Sequence, residues 1–420
     1  MTDDAVFAKC VRRLIPFIFL LYLFNFIDRV NVGFAALTMN ADLNFTPAVF
    51  GLGGGIFFFG YSLFQIPANL ILDRIGARRW IFCILLVWGA VSACNALVTA
   101  PANFYAVRIL LGIAEAGFFP GMVLYLTYWF PKAYRARLVS YFMLAIPFAN
   151  IVGGPVSSLI LAMDGIAGLH GWQWLFLLEG APTSFLAFAV LALLPSGPKE
   201  ASWLTDGDKS VIAARLAIED KPQHRDFLAA LADVRVWALG VVYMCYAISY
   251  YGVQLWLPQI VHGMGFSNLA TGFMVALSFM VTMIAMFLWG RSSDRSGERI
   301  WHVVAPAFVA MAALLVASLT GSDLVVFLAL TAALASLMAL QGPFWSLPQS
   351  YLGGVAAAGG IALINTVGTG TGGFIGPYLT GLLKEATGSF SVGMAVLALA
   401  PAIMAILALS LKRGVAPQAA

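Results

Sequence analysis

Charge is what this chain most lacks. Asp, Glu, Lys and Arg make up 10% of its 420 residues, against roughly 25% in soluble domains, so a body that meets water on all sides is excluded. Histidine and cysteine are also sparse, at four each. Cys10, Cys83, Cys94 and Cys245 show no CxxC or other paired spacing, and His170, His224, His262 and His302 fall in four different segments. That argues against a disulfide framework or a metal centre. Neither HExxH nor GxSxG occurs, and nothing points to an enzyme or to a cofactor. The net charge of +4 gives no reason to expect nucleic acid.

What the chain has instead is apolar length, with 61% hydrophobic residues. Stretches long enough to span a bilayer fall at roughly 14–38, 48–72, 80–98, 102–130, 138–162 and 173–194. A second set falls at roughly 236–260, 268–290, 300–319, 323–348, 356–383 and 390–411. The pattern predicts an all-α membrane protein of twelve transmembrane helices in two pseudo-symmetric six-helix bundles. The expected division is a first bundle over 1–195, a linker over 196–235 and a second bundle over 236–420.

Duplication is written in two echoes. The loop Asp73-Arg74-Ile75-Gly76-Ala77-Arg78 returns 221 residues later as Asp294-Arg295-Ser296-Gly297-Glu298-Arg299, and Gly154-Pro155 returns 222 residues later as Gly376-Pro377. Offsets that agree within one residue argue two copies of one helical unit.

Orientation follows from the basic residues, which resist translocation. All but Arg29, Arg108 and Lys384 of the 23 lie before the first span, after the second, fourth or eighth, in the linker, or at the end of the chain. Both termini are therefore expected in the cytoplasm, with the first span kept as an anchor. Residues 195–235 carry 13 of the 42 charged residues. They read first as a solvated tether, although Val211, Ile212, Arg215 and Leu216 behind Asp206 as a cap would also suit a short surface helix.

Within the spans the few charges stand out. Asp28 and Arg29 lie well inside the first, Arg108 and Glu115 inside the fourth, and each is costly there unless it faces protein or water, so each is a candidate for function. At about 1.5 Å of rise per residue Asp28, Arg29 and Arg108 share a depth, which makes Asp28 and Arg108 candidate partners. Glu115 sits about two turns deeper, level with Tyr61, and a desolvated carboxyl there is expected to take a proton. The positions 221 residues on are Ser249, Tyr250, Ala329 and Ser336, so buried charge belongs to the first half alone.

The repeated Asp-Arg-x-Gly-x-Arg loop resembles the mark of the major facilitator superfamily. Asn25-Phe26-Ile27-Asp28-Arg29-Val30-Asn31-Val32-Gly33-Phe34-Ala35, Gly60-Tyr61-Ser62 and the run from Arg108 through Glu115 to Gly121 are similar to its anion:cation symporter family. Gly171-Trp172-Gln173-Trp174 and Trp256-Leu257-Pro258-Gln259 resemble the branch that takes up tartrate, phthalate and 4-hydroxyphenylacetate. The resemblance implies a monomeric carrier for proton-coupled uptake of a small organic carboxylate in the cytoplasmic membrane. It further implies protons on Asp28 and Glu115, and the anion, or control of the acids, on Arg29 and Arg108. Asn69 departs from the glycine usual at the loop motif, whereas Gly290 keeps it. Ile146-Pro147 replaces the glutamine of hexonate carriers, which disfavours a sugar acid.

Tyr61, Gln254 and Asn365 complete the expected substrate contacts, with Tyr246, Tyr250, Tyr251, Trp256, Thr366, Thr369 and Gln341 open to either packing or substrate. Glu179 is equally open between the pathway and a structural hydrogen bond. Asp73, Arg78, Asp294 and Arg299 are the expected gate, pairing across the bundles when the outer side is open. A channel is disfavoured by the internal twofold and the single off-axis charge cluster. Export, antiport or sodium coupling remain the rival readings, although Ser157 and Ser158 stand where trailing glycines would belong in the antiporter pattern.

Overall fold

The structure is a computed structural model that describes residues 3–218, 233–351 and 355–413. Linker residues 219–232 lie outside it, as do the side chains of Asn69, Asp73, Lys412 and Arg413. The first half consists of Asp3–Asp42, Pro47–Ile75, Ala77–Ala93, Pro101–Glu115 with Phe118–Thr127, Lys132–Met143 with Ala145–Leu161, and Gly171–Leu193. The second consists of Val234–Gly263, Asn268–Ser296, Ile300–Leu319, Asp323–Ala339 with Gln341–Tyr351, a broken helix, and Ser391–Leu397 with Leu399–Arg413. The broken helix is Val355–Val367, a π turn at Gly368–Gly372, and Gly373–Thr387. These are spans one to twelve in chain order. Eleven stretches of the described residues are long and apolar enough to cross a bilayer, all but the broken eleventh. Helix is what an apolar chain must form where no water can satisfy its peptide groups.

The repeated loops end helices by the same device. Gly76 closes span two at φ +79° and Gly297 closes span eight at φ +68°, conformations that a side chain would strain. The first helix runs 40 residues, about 60 Å at 1.5 Å per residue, and projects past the apolar layer at the end where most basic residues gather, called here the basic end. Against it lies a linker helix, Asp206–Ala217. Its cap is Thr205 rather than the expected Asp206: the Thr205 hydroxyl accepts from Asp208 N at 3.2 Å while the Asp208 carboxylate accepts from Thr205 N at 3.1 Å, a reciprocal box. Lys9 pairs with Asp208 at 2.8 Å, Arg215 with Asp3, and Ile212 is buried. This part of the linker is docked, not a tether.

Span four is not one helix. It breaks after Glu115, where Gly117 lets Trp80 approach so closely that a Cβ would stand 2.5 Å from the indole, and Trp80 Nε1 donates to Gly117 O at 3.1 Å. The break leaves Glu115 as the last residue of its helical piece.

The halves meet most tightly at the end opposite the basic one. A Cβ on Gly51 would lie 2.7 Å from Pro377 O, one on Gly381 2.4 Å from Pro47 O, and one on Gly272 2.5 Å from Gly154 O. Backbones this close tolerate only glycine, as small residues allow where helices pack in lipid. Glu385, exposed beyond the apolar stretch 356–383 of span eleven, adds a tie, accepting from Ala48 N at 2.9 Å across the seam.

Candidate functional site

Span one places Asp28 and Arg29 on neighbouring faces, about 100° apart around the helix. Asp28 is fully buried and turns towards spans three and six. Its carboxyl accepts from Trp88 Nε1 at 2.8 Å, Ser92 Oγ at 2.8 Å and Thr183 Oγ1 at 3.3 Å. Spans three and six come near enough to do this because Gly89 and Gly180 lie against the opposing backbone.

The expected Asp28–Arg108 pair does not form. Shared depth fixes level along a helix but not direction around it, and Arg108 faces span two instead. Its Nε donates to Gly53 O at 3.2 Å, its guanidinium lies over the Phe57 ring at 5.0 Å, and its buried Nη1 has no partner. No carboxylate of the described residues pairs with it. A guanidinium buried this way costs several kcal/mol, of which one cation–π contact offsets about 2.

Arg29 turns the other way and meets Glu115. Glu115 Oε2 accepts from Arg29 Nε at 2.7 Å and from Asn25 Nδ2 at 3.0 Å, while Oε1 is buried without a partner. The Arg29 guanidinium lies 4.8 Å from the Tyr61 ring centre and 5.5 Å from that of Phe57. Phe57 therefore underlies both arginines. Sequence reasoning missed it, although it sits one turn before Tyr61 on the same face of span two. Asn25, Trp88, Ser92 and Thr183 were missed as site residues as well, since nothing in the sequence marks a buried neutral donor.

Facing this cluster, the second half offers rings. Tyr243, Tyr246 and Tyr250 stack along span seven at 5.2 and 5.5 Å, and Tyr251 meets Phe58 across the seam at 4.3 Å. Gln341 Nε2 donates to Tyr246 Oη at 2.5 Å, and the buried Tyr250 hydroxyl is unpartnered. Gln254 bonds to Asn150 Oδ1 at 3.4 Å, a link between halves, and Asn365 accepts from Thr369 at 3.1 Å. Thr366 reaches span two, donating to Gln65 Oε1 at 2.6 Å. Of the substrate contacts read from sequence, the structure gathers Arg29, Tyr61 and Arg108 around Phe57, while Gln254 and Asn365 bond elsewhere.

At the basic end Arg78, Asp294 and Arg299, expected to form a gate, pair locally rather than across the halves. Arg299 pairs with Asp294 at 2.7 Å, and Arg78 reaches Leu191 O, Ser196 Oγ at 3.4 Å and Glu200 at 3.8 Å. The Asp73 side chain lies outside the described residues.

A family model described as Major Facilitator Superfamily matches residues 18–377. A protein of Agrobacterium vitis named "Putative tartrate transporter" is 45% identical over 414 residues, covering 98% of this chain and 92% of that one. A "Quinolone resistance transporter" of Acinetobacter baumannii is 40% identical over 397 residues, covering 93% and 91%. In fold the chain is similar to the crystal structure of a bacterial homolog of the human lysosomal transporter Spinster, inward-facing and occupied. The TM-score is 0.79 at 18% identity, with 95% of this chain and 96% of that chain covered. On a family match over most of its length and full-length relatives at this identity, the chain belongs to the major facilitator superfamily and is a multi-pass membrane transporter, not an enzyme.

Proposed function

We propose that the protein carries a small organic carboxylate, a hydroxydicarboxylate or an aromatic acid, into the cell together with protons. The basic end faces the cytoplasm of a bacterial cell, and the halves, residues 1–195 and 236–420, rock about a central site. The observation that carries this reading is Arg108: a buried cation with an unfilled donor and, among the described residues, no carboxylate partner, one shared ring away from Arg29. A substrate carboxylate supplies the missing charge, and a guanidinium fork suits it better than an ammonium does. The full-length tartrate-named relative supports the anion class.

Coupling follows from energetics. A dianion entering against about 100 mV faces about 4.6 kcal/mol, which co-transported protons offset. Asp28 and Glu115 are the sites suited to hold them, because a carboxyl in dry surroundings bears charge only at a cost. Glu115 trades with Arg29: once protonated it releases the guanidinium to the substrate. The glycine contacts opposite the basic end support reading this arrangement as one closed to the outside. In the outward-open state Asp73, Arg78, Asp294 and Arg299 pair across the halves.

The test is thermal stability of purified protein against tartrate, phthalate, 4-hydroxyphenylacetate, neutral sugars and organic cations. Carboxylates alone are expected to stabilise it, by about 2.7 kcal/mol at 100 times Kd. Stabilisation by sugars or cations with none from carboxylates contradicts the reading. Export is the second reading, favoured by the quinolone-named relative; it predicts proton-driven loss of quinolone from loaded cells.

A further inference from the structure

One buried carboxyl has no place in that scheme. Glu179 of span six is 4% exposed and lies beyond Asp28 on the side away from both arginines. Its Oε1 accepts from Ser157 Oγ of span five at 2.8 Å, and its Oε2 is buried without a partner. One side chain stands between its carboxyl and Asp28. Asn31 Nδ2 is 3.5 Å from Asp28 Oδ1 and faces the Glu179 carboxyl. Thr183 Oγ1, 3.3 Å from Asp28 Oδ2, reaches only the backbone carbonyl of Glu179, at 3.5 Å, and not its carboxyl.

Among the described residues no basic side chain stands beside Glu179. Span one presents Asp28, span three presents Trp88 and Ser92, and span five presents Ser157 and Ser158. The turn after span three adds only Cys94, and His170 with Asp42 and Asp164 lies at the far end of span six. The close Gly89 and Gly180 contacts leave no room for a substrate to pass between spans three and six. A structural hydrogen bond to Ser157 would need only an amide. A carboxyl with one oxygen short of a hydrogen bond, near a second carboxyl in a dry seam with Asn31 facing both, is suited to gaining and losing a proton.

We propose that Glu179 is a third proton-holding carboxyl that acts with Asp28 through Asn31, on the outer side of the coupling site. This rests on the proton-coupled reading above. The two acids cannot both carry charge cheaply in one low-dielectric seam, so a proton taken up at Glu179 changes the state of Asp28 without touching substrate.

The experiment compares the parent, Glu179→Gln and Asn31→Ala in reconstituted vesicles. It uses a carboxylate found in the stability panel and reads proton movement, accumulation and counterflow. Counterflow exchanges substrate without requiring proton release. Glu179→Gln is expected to keep counterflow near the parent rate while losing one coupled proton, which lowers accumulation about 50-fold at about 100 mV of driving force. Asn31→Ala, which removes the side chain facing both carboxyls, is expected to slow proton-driven uptake and to spare counterflow. A parent that accumulates substrate without moving protons overturns the coupling reading and the role of Glu179 with it. A proton-coupled parent matched by both variants in accumulation and proton ratio overturns the Glu179 role alone. So does a parallel fall of counterflow and accumulation in both variants, which marks a structural hydrogen bond.

Discussion

The two halves share one scaffold and differ in what they hold inside it. The first places Asp28, Arg29, Arg108, Glu115 and Glu179 between its helices; the second buries no charged side chain among the described residues and stacks tyrosines instead. At corresponding positions Ser249 replaces Asp28 and donates to Leu397 O at 2.8 Å, a packing bond, while Tyr250 replaces Arg29. What survives in both copies is the glycine that ends the helix at each loop. The difference teaches a division of material, charge in one half and rings in the other, which under the proposed function becomes a division of labour between proton coupling and substrate shape.

The largest effect is expected at the seam. Gly272→Val sets a Cβ 2.5 Å from Gly154 O. Overpacking there costs about 1–3 kcal/mol, enough to shift the balance away from the state closed at that end by about 5- to 150-fold. Cysteine accessibility should move to the outer side and transport should collapse while the protein remains folded. An unchanged variant would show that the halves do not close through this contact.

The next effect distinguishes the halves. Arg29→Lys keeps the charge but loses the geometry that serves Glu115 and stacks on Tyr61. At about 1.5–3 kcal/mol for a charged hydrogen bond, substrate affinity should fall about 10- to 100-fold. Tyr251→Phe, on the other half, should change preference among carboxylates and leave the proton ratio as it was. Equal effects of the two on proton ratio would erase the proposed division.

The smallest effect is at the outer tie. The Thr46 hydroxyl and the Ala48 amide hold Glu385 below the ordinary carboxylate range. The carboxyl is exposed, so the effect is small, and its sign is fixed. A depressed value means that the tie stabilises the closed outer end above that range and is lost as pH falls through it. Acid outside should favour outer opening slightly, measured as outer cysteine accessibility against pH, and Glu385→Gln should flatten the response.

Much of this was legible in the sequence, and the remainder was hidden for definable reasons. The duplication, the spans and the four charges of spans one and four could be read because lipid makes charge and helix ends conspicuous. Pairing could not be read. Depth placed Asp28 level with Arg108, but rotation about the helix gave Arg29 to Glu115 and Asp28 to Trp88, Ser92 and Thr183. Ser92 and Thr183 look like any small polar residue of a packed helix. The break after Glu115 depends on Trp80 seated against Gly117, 37 residues apart, a contact without local pattern. The linker helix was half legible, its docking on Lys9 and Asp3 not at all.

The central claim, that charge in the first half couples an anion to protons, is tested most directly by one trace: external pH after a carboxylate is added to lightly buffered vesicles that hold the protein. The account predicts alkalinisation of the medium with each substrate addition, abolished by a protonophore and absent in Glu115→Gln. Uptake that requires sodium and moves no protons would contradict it.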